Sequence, residues 1–455
     1  MHQHSANGVH GKEVFMGITI VQKSDLSCPK PDPKIALVLS GGGISGGAFK
    51  LGGLQALNNC MLNRKVREFD IFVGISAGSI ISTYLANGVP VSDIIQSMEG
   101  KGGSLGTIRA SELYAFNYMD FLTTPTHILE HTLGLTLKGP FDFLMSNNIF
   151  RKNFRKALTH MLCHPTYENV TQFVQHCLKR KESTVQQPSL PWHFIPNGIF
   201  TTDKFERSNR ENLESDGFSN DFRELYERTG KSLYIVAMSL DNARRTVFGH
   251  DHINTASISK AMQASIALPL FYKPVRIDGV DYIDGSVIKT TSMDLAIEKG
   301  ADLVICYNPF RPFDCDAFSA HCKKKRERLY IAEDGIYAVL NQVMRTVLHT
   351  RLMRGIESYQ KNPDFKGDIV VIEPTEYDDQ FFDMNPMAFW TRRKAAQRGY
   401  ESVRQSIRNH YDQLGDILGC YGITIDPEFV KELDVQPEAN QDNSCVCFNE
   451  VMNEI

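Results

Sequence analysis

A five-residue motif, Gly74-Ile-Ser-Ala-Gly78, limits most strongly what this chain can fold into. The apolar run Ile71–Val73 leads into the motif and predicts a strand, and the run from Ser79 to Ala86 behind it predicts a helix. Gly-x-Ser-x-Gly between a strand and a helix is the sequence form of a nucleophile elbow, whose sharp turn leaves little room for side chains beside the serine. We therefore expect the Ser76 hydroxyl at a helix N-terminus, where the helix dipole favours negative charge.

A second strand–loop–helix unit precedes this motif. The continuous apolar run Ile35–Leu39 predicts a buried parallel strand, Gly41–Gly47 is rich in glycine, and Ala48–Leu57 predicts a helix. Backbone N–H groups can converge on an anion only where no side chains intervene. Because neighbouring parallel strands that lead into helices end at the same edge of a sheet, we expect this glycine loop beside Ser76, as an oxyanion cradle.

Two other interpretations of the glycine loop stay open. Gly41-x-Gly43-x-x-Gly46 fits the glycine spacing of a dinucleotide-binding fingerprint. That fingerprint also needs an acidic residue about 20 positions later, at the tip of the second strand. In this chain the second strand ends at Ser76 instead, which disfavours a nucleotide. The other interpretation is a tight turn with no chemistry.

Composition narrows the classes of function. A formal net charge of −4 over 455 residues argues against nucleic-acid binding, because phosphate recognition needs a basic surface. The sequence has no run of about 18 apolar residues and no apolar signal-peptide core before Pro33. We therefore expect a cytoplasmic protein or one peripheral at a membrane, with export without a classical signal left open. The ten cysteines lack zinc-like pairing, which indicates a reducing compartment, and we expect no metal and no cofactor. Cys445 and Cys447 could form a metal or acylation site, but an inert pair of tail thiols is the favoured interpretation.

A carboxylate that could serve as a base lies in the second half of the predicted sheet. Val275–Ile277 and Val280–Ile283 are short alternating strands joined by Asp278-Gly279, which is a hairpin-turn signal. Asp284-Gly285 follows the second strand and has no matching strand after it. A carboxylate at a strand end, beside a glycine that lets another side chain approach, suits general-base chemistry.

The sequence also predicts how the chain is divided. We expect a flexible N-terminal segment (1–33), a catalytic domain (34–310) with a helical insertion or cap (100–230), a mainly helical part packed on the core (311–433) and a loose tail (434–455). The basic stretches Lys323–Arg328 and Trp390–His410 leave peripheral contact with an anionic membrane surface open, beside the simpler interpretation of solvated faces.

The glycine loop, the Ser76 elbow and Asp284-Gly-Ser, in this order, resemble the patatin-like phospholipases, which are lipid acyl hydrolases with a Ser–Asp dyad. Other segments similar to that family are Val236–Gly249, Ala264–Pro269 and Arg392–Tyr400. The resemblance covers residues 34–310 and extends more loosely to about 410. It implies an α/β fold: a central, mostly parallel sheet flanked by helices in a three-layer sandwich, with a helical insertion and a helical C-terminal extension.

The resemblance also assigns roles. Ser76 is the implied nucleophile, Asp284 the base, Gly74 and Gly78 the glycines of the elbow, and the backbone N–H groups of Gly41, Gly42, Gly43 and Ile44 the oxyanion hole. One departure concerns the loop: the family usually has Arg or Lys just before the glycine that opens the next helix, where this chain has Ser45 and Gly46. Lys50 follows one helical turn later, and we expect no equivalent role from it. Ser286 replaces the usual Gly or Ala after Asp-Gly.

The implied reaction is hydrolysis of carboxylic esters, in phospholipids (phospholipase A type) or other acyl-ester lipids, through an acyl-enzyme intermediate. The rival arrangement is a Ser–His–Asp triad, for which the sequence offers His321, His349, His410, His250 and His252. A hypothesis of another class is a lipid-binding or regulatory protein whose elbow has little or no activity because of the altered glycine loop.

Overall fold

The computed structural model describes residues 17–101, 105–118, 197–215, 217–315 and 330–431. The predictions for residues 1–16, for most of the proposed insertion, for the basic cluster 323–328 and for the tail lie outside these ranges. The chain divides into two compact units. The described parts of Met1–Tyr114, Thr202–Pro269 and Pro274–Ile455 form the first, and those of Ala115–Thr201 and Leu270–Lys273 form the second.

The described residues form twelve strands. They are β1 (Ile18–Val21), β2 (Ile35–Leu39), β3 (Ile71–Ile75), β4 (Ala115–Phe116), β5 (Gly198–Thr201), β6 (Ser232–Ser239), β7 (Arg244–Gly249), β8 (Leu270–Tyr272), β9 (Val275–Ile277), β10 (Val280–Asp284), β11 (Leu303–Tyr307) and β12 (Asp368–Ile372). Nine of them build the sheet of the first unit, in the order β1-β12-β11-β2-β3-β6-β10-β9, with β7 paired to β6. The remaining three, β4, β5 and β8, form a small sheet in the second unit.

The large sheet is parallel only in its centre. The strands β12, β11, β2, β3 and β6 run parallel, and their apolar runs are almost entirely buried. The outer pairs β1–β12, β6–β7, β6–β10 and β9–β10 are antiparallel. The prediction of a mostly parallel sheet is therefore confirmed in part, because the short outer strands are joined through hairpins or pair at the edge, where a helical crossover is not needed.

Helices cover the sheet. Within the described residues they are α1 (Gly43–Cys60), α2 (Ala77–Ala86), α3 (Val91–Glu99), α4 (Ala110–Leu113), α5 (Asp203–Leu213), α6 (Phe222–Thr229), α7 (Ile258–Ser265), α8 (Met293–Glu298), α9 (Ile336–Lys361), α10 (Asp379–Phe382), α11 (Arg392–Asn409), α12 (Tyr411–Cys420) and α13 (Pro427–Lys431). Alternate residues of the central strands face the two helical layers, as expected for buried strands.

One face of the sheet packs on α8 and α9. Val38 and Val73 from this face share a core with Leu295 of α8 and with Leu352 and Ile356 of α9. On the opposite face Tyr307 meets Phe49 of α1 edge to face, with ring centroids 6.4 Å apart. The two observations confirm the expected three-layer arrangement of helix, sheet and helix.

Helices α1 and α11 pack with their backbones in close contact. A Cβ atom on Gly52 would lie 1.7 Å from the carbonyl oxygen of Ala396, and one on Gly399 would lie 1.9 Å from that of Phe49. Glycine is therefore required at both positions, because any side chain would force the helices apart. This contact fixes α1, whose N-terminus carries the glycine loop.

The described part of the N-terminal segment, from Gly17, is tied to the sheet. Strand β1 pairs with β12, and the backbone N–H groups of Lys23 and Ser24 donate to the carboxylate of Asp368 at 2.7 and 2.9 Å. Among the helices of the described ranges, none combines the length and the apolar character needed to cross a membrane.

Candidate active site

Ser76 lies at the turn between β3 and α2, with φ 54° and ψ −128°. This backbone conformation is rare for a residue with a side chain and marks local strain. The glycines on either side explain how the turn closes. A Cβ atom on Gly74 would lie 2.5 Å from the Cα of Ser79, and one on Gly78 would lie 2.3 Å from the carbonyl oxygen of Leu39. A larger residue at either position would open the turn.

A second serine holds the backbone of this turn. The N–H of Ser76 donates to the hydroxyl oxygen of Ser265 at 2.8 Å, and that hydroxyl donates to the carbonyl of Val236 at 2.7 Å. Ser265 ends α7 and is fully buried. It therefore links the elbow to strand β6, and because its hydroxyl accepts the Ser76 N–H, that amide is not free to bind an anion.

Asp284 ends β10 and lies against Ser76. Its backbone N–H donates to the carbonyl of Ala267 at 3.0 Å, and only 1% of the residue is exposed. One carboxylate oxygen, Oδ1, accepts the N–H of Ser286 at 2.8 Å and the hydroxyl of Ser286 at 2.7 Å. A hydrogen bond from the Ser76 side chain is among the causes that lower the pKa of this carboxyl group. The two side chains that the sequence proposed as a dyad therefore lie close enough for Ser76 to act on the carboxyl group.

Burial and hydrogen bonding act on Asp284 in opposite directions. Burial removes water from the carboxylate and raises the pKa of Asp284 above its ordinary value. The hydrogen bonds from Ser286 and Ser76, and the charge of Lys50, favour the ionised form and offset part of that rise. The net result is a raised pKa, which makes Asp284 a stronger base than an exposed carboxylate.

The glycine loop lies beside the serine. A Cβ atom on Gly41 would lie 3.3 Å from the Cβ of Ser76. Gly42 and Gly43 have φ angles of 143° and 61°, which residues with side chains rarely adopt. Within the part of the chain that the structure describes, the N–H groups of Gly41, Gly42 and Gly43 find no hydrogen-bond acceptor. Within these ranges the three amides therefore keep an unused donor beside Ser76.

Ile44 differs from the three glycines. Its N–H donates to the carbonyl of Pro386 at 2.7 Å, and the N–H of Ser45 donates to the same carbonyl at 3.1 Å. Pro386 thus caps the N-terminus of α1. This bond corrects the expectation that the Ile44 amide is an oxyanion donor, because its hydrogen is already bonded within the protein.

Lys50 reaches the glycine loop from within α1. The residue is completely buried, and its Nζ donates to the carbonyl of Gly41 at 2.9 Å and to the carbonyl of Ser40. Burial lowers the pKa of Lys50 to about 7, while the negative charge of Asp284 and the thiol of Cys306 act in the raising direction. The structure thus brings the charge of Lys50 to the loop, a position that the sequence did not indicate.

The histidines of the rival triad have other partners. His349 Nε2 lies 3.2 Å from Glu373, and His410 Nδ1 lies 3.0 Å from the carbonyl of Ser406. His250 stacks on Tyr226 with ring centroids 4.0 Å apart, and His252 meets Tyr234 edge to face. His321 lies outside the described residues. Across the described ranges, no histidine hydrogen bonds to Ser76 or Asp284.

Three contributors to the site were missed from the sequence. Ser265 lies within Ala264–Pro269, a segment quoted only for its similarity to the family. Lys50 could have been found from the sequence, because a lysine on the apolar face of a helix is buried only where it has a polar partner. Pro386 contributes a backbone carbonyl, and because every residue has one, the sequence could not indicate this contact. Over the described residues, no cluster of His, Cys, Asp or Glu is suited to a metal ion.

Comparisons with known proteins bear on this site. Among curated proteins, the chain is 22% identical over 269 residues to "Probable lipid hydrolase 463L" of Invertebrate iridescent virus 6. That alignment covers 59% of this chain and 65% of the viral protein, so the chain spans less than two thirds of that relative.

Solved structures give further similarities. VipD from Legionella pneumophila is 17% identical with a TM-score of 0.37, covering 87% of this chain and 70% of VipD. The type III effector protein ExoU is 17% identical with a TM-score of 0.27, covering 85% and 63%. Human GIVD cytosolic phospholipase A2, in complex with methyl γ-linolenyl fluorophosphonate, is 12% identical with a TM-score of 0.30, covering 86% and 59%.

The family comparison covers the stretch that builds the site. A family model described as "Patatin-like phospholipase" matches residues 37–297, which include the glycine loop, Ser76 and Asp284. The match extends over more than half of the 455 residues and confirms the resemblance inferred from the sequence. This chain therefore belongs to the patatin-like phospholipase family.

Proposed function

We propose that this protein is a lipid acyl hydrolase that cleaves carboxylic esters of phospholipids, in the manner of a phospholipase A. The observation that carries the proposal is the buried Asp284 carboxyl group, whose pKa Ser76 influences, beside a loop whose three glycine amides have no acceptor among the described residues. Membership of the patatin-like phospholipase family supports the choice of a lipid ester as substrate.

The first step is nucleophilic attack by Ser76. Its oxygen forms a bond to the ester carbonyl carbon while its proton passes directly to the carboxylate of Asp284. The raised pKa of Asp284 brings this base closer to the pH at which it must work, and the remaining hydrogen bonds from Ser286 keep its carboxylate in place. No histidine is needed between the two groups.

Negative charge then develops on the former carbonyl oxygen. The amides of Gly41, Gly42 and Gly43 are assigned to this oxyanion, and the adjoining N-terminus of α1 favours the same charge. Loss of one oxyanion-hole donor typically raises the barrier by about 3–4 kcal/mol. Collapse of the intermediate breaks the ester bond, and the proton held by Asp284 passes to the leaving alcohol.

Water completes the cycle. Asp284, again ionised, accepts a proton from a water molecule that attacks the acyl-serine ester. The second tetrahedral intermediate then releases the fatty acid, and Asp284 returns the proton to the Ser76 oxygen. The products are a fatty acid and a lysophospholipid. We also propose residues 34–310 as the catalytic domain, since Ser76, Asp284 and the glycine loop lie within it, and a membrane or micelle surface as the source of substrate.

The test is release of fatty acid from phosphatidylcholine vesicles by purified protein. Ser76→Ala and Asp284→Asn are each expected to lower the rate by about 10³-fold or more, because both remove an atom that takes part in the proton transfer. Ser82→Ala and Asp278→Asn are matched controls: a buried serine of α2 and the aspartate of the β9–β10 turn. Both controls should retain wild-type rates.

Equal, slow release by wild type and both site variants would favour the alternative, a lipid-binding or regulatory protein with a weak or inactive elbow. Vesicle binding without hydrolysis would also favour this alternative. One observation supports that alternative: the Ile44 N–H donates to the carbonyl of Pro386, which leaves the loop with fewer donors for an oxyanion.

A further inference from the structure

One charged group beside the site, Lys50, takes no part in the proposed reaction steps. Lys50 lies on the inner side of the glycine loop, with its Nζ bonded to two successive carbonyl groups, those of Ser40 and Gly41. Nothing of its side chain reaches solvent. A buried ammonium group is stable only where its donors are satisfied, so these two carbonyls are what hold it there.

Each of the two carbonyls shares a peptide group with one of the candidate oxyanion donors. The carbonyl of Ser40 shares a planar peptide group with the N–H of Gly41, and the carbonyl of Gly41 shares one with the N–H of Gly42. In a trans peptide the C=O and N–H bonds point in opposite directions. A cation that holds both carbonyls on one side therefore turns both N–H groups to the other side, away from Lys50.

Gly41 is adjacent to the nucleophile. The position of its missing Cβ is 3.3 Å from the Cβ of Ser76. A carbonyl that accepts a hydrogen bond also polarises its peptide group and makes the N–H of that group a stronger donor. Lys50 can thus strengthen the donors and fix their direction without touching the substrate.

We propose that Lys50 is a positioning residue for oxyanion stabilisation, which acts through the peptide groups of Ser40 and Gly41. In this role it substitutes for the basic residue that the family usually carries in the loop and that this chain replaces with Ser45 and Gly46. The proposal rests on the proposed function of the site.

The groups that face Lys50 define its charge. They are Asp284 from β10, Cys306 from β11 and the two loop carbonyls. Burial raises the pKa of Cys306, so its thiol stays neutral at physiological pH. Because burial lowers the pKa of Lys50 to about 7, the ammonium group loses its proton as the pH rises through that value. The catalytic rate of the wild type should therefore fall at alkaline pH.

The experiment compares Lys50→Met with Lys50→Gln, which keeps a neutral donor. The matched control is Gln55→Leu, which removes a buried polar side chain about 1.4 turns further along the same helix. For each protein we would measure the melting temperature, kcat and KM on a soluble acyl ester, and the rate of covalent reaction of Ser76 with a fluorophosphonate. The phosphonyl oxygen should accept hydrogen bonds from the same loop amides as the oxyanion.

We expect kcat and the phosphonylation rate to fall about 10- to 100-fold in Lys50→Met and less in Lys50→Gln, with KM changed by about twofold or less. The decline of the wild-type rate above about pH 7 should be absent in Lys50→Met. Gln55→Leu should match the wild type in rate and in pH profile.

Wild-type phosphonylation by folded Lys50→Met would overturn the proposal and leave the proposed function intact. If neither Lys50 variant folds, the wild-type pH profile decides, and a rate that stays constant from pH 7 to about pH 9 contradicts the role. Wild-type protein that neither hydrolyses esters nor reacts with the phosphonate would instead overturn the proposed function, and the role of Lys50 with it.

Discussion

Ser286 lets one carboxylate be both buried and ionisable. Its N–H and its hydroxyl donate to the same oxygen of Asp284, at 2.8 and 2.7 Å. Hydrogen bonds to the charged form lower a carboxyl pKa, whereas burial raises it. The residue after Asp-Gly, where the family usually has Gly or Ala, thus helps to set the pH at which Asp284 can accept a proton.

Ser286→Ala removes the hydroxyl and keeps the backbone donor. The pKa of Asp284 should rise further, so the acidic limb of the kcat/KM profile should move to higher pH, because Asp284 must be ionised to act as a base. The profile would be measured between about pH 4 and pH 8. Ser292→Ala is the control, since this buried hydroxyl finds no partner among the described residues. A shift to lower pH, or none, would contradict the account.

At the scale of elements, the contact between α1 and α11 holds the glycine loop in place. Gly399→Ala would place a Cβ atom 1.9 Å from the carbonyl oxygen of Phe49, so the helices must separate. We expect the free energy of unfolding to fall by about 1–3 kcal/mol and the hydrolytic rate to fall with it. Urea denaturation and the vesicle assay measure the two effects.

Gly355→Ala is the matched control for this substitution. Gly355 lies within α9, and a Cβ atom there would meet no neighbouring atom within 4 Å. Replacing an unhindered helical glycine stabilises by about 0.4–1 kcal/mol, because the unfolded chain loses conformational freedom. Equal effects of the two substitutions would show that the close packing of α1 on α11 is unimportant.

The elements that the sequence predicted well are those with local signals. The apolar runs of β2 and β3 and the hairpin of β9 and β10 are present as expected. The antiparallel pairing of β1 with β12 was not predicted, because it joins residues about 350 positions apart in the chain. The position of Lys50 is unpredictable for a similar reason, because its partners depend on how α1 packs against the loop, which the sequence does not specify.

At the scale of the whole molecule, buried carboxylates make stability depend on pH. Asp378 is buried, and its Oδ2 accepts hydrogen bonds from Thr375 and Ser402. Burial raises the pKa of Asp378 to about 6. A raised folded-state pKa stabilises the fold below the unfolded value of about 3.9, and this stabilisation is lost as the pH rises through about 6.

Asp378→Asn should remove this dependence. Relative to the variant, the free energy of unfolding of the wild type should be about 1 kcal/mol larger at pH 5 than at pH 7. Urea denaturation of both proteins at the two pH values gives the difference, in which the effect of other carboxylates, including Asp284, cancels. A difference of the opposite sign would mean that Asp378 is not a buried acid with a raised pKa.

The proposed hydrolysis depends on Ser76 as the nucleophile and on Asp284 as its base. Peptide mapping by mass spectrometry after reaction with a fluorophosphonate tests this most directly. We predict one phosphonyl adduct in the wild type, on Ser76, no adduct in Ser76→Ala and a much slower reaction in Asp284→Asn. Lipid hydrolysis by wild-type protein that carries no adduct on Ser76, or an adduct on another residue, would contradict the account.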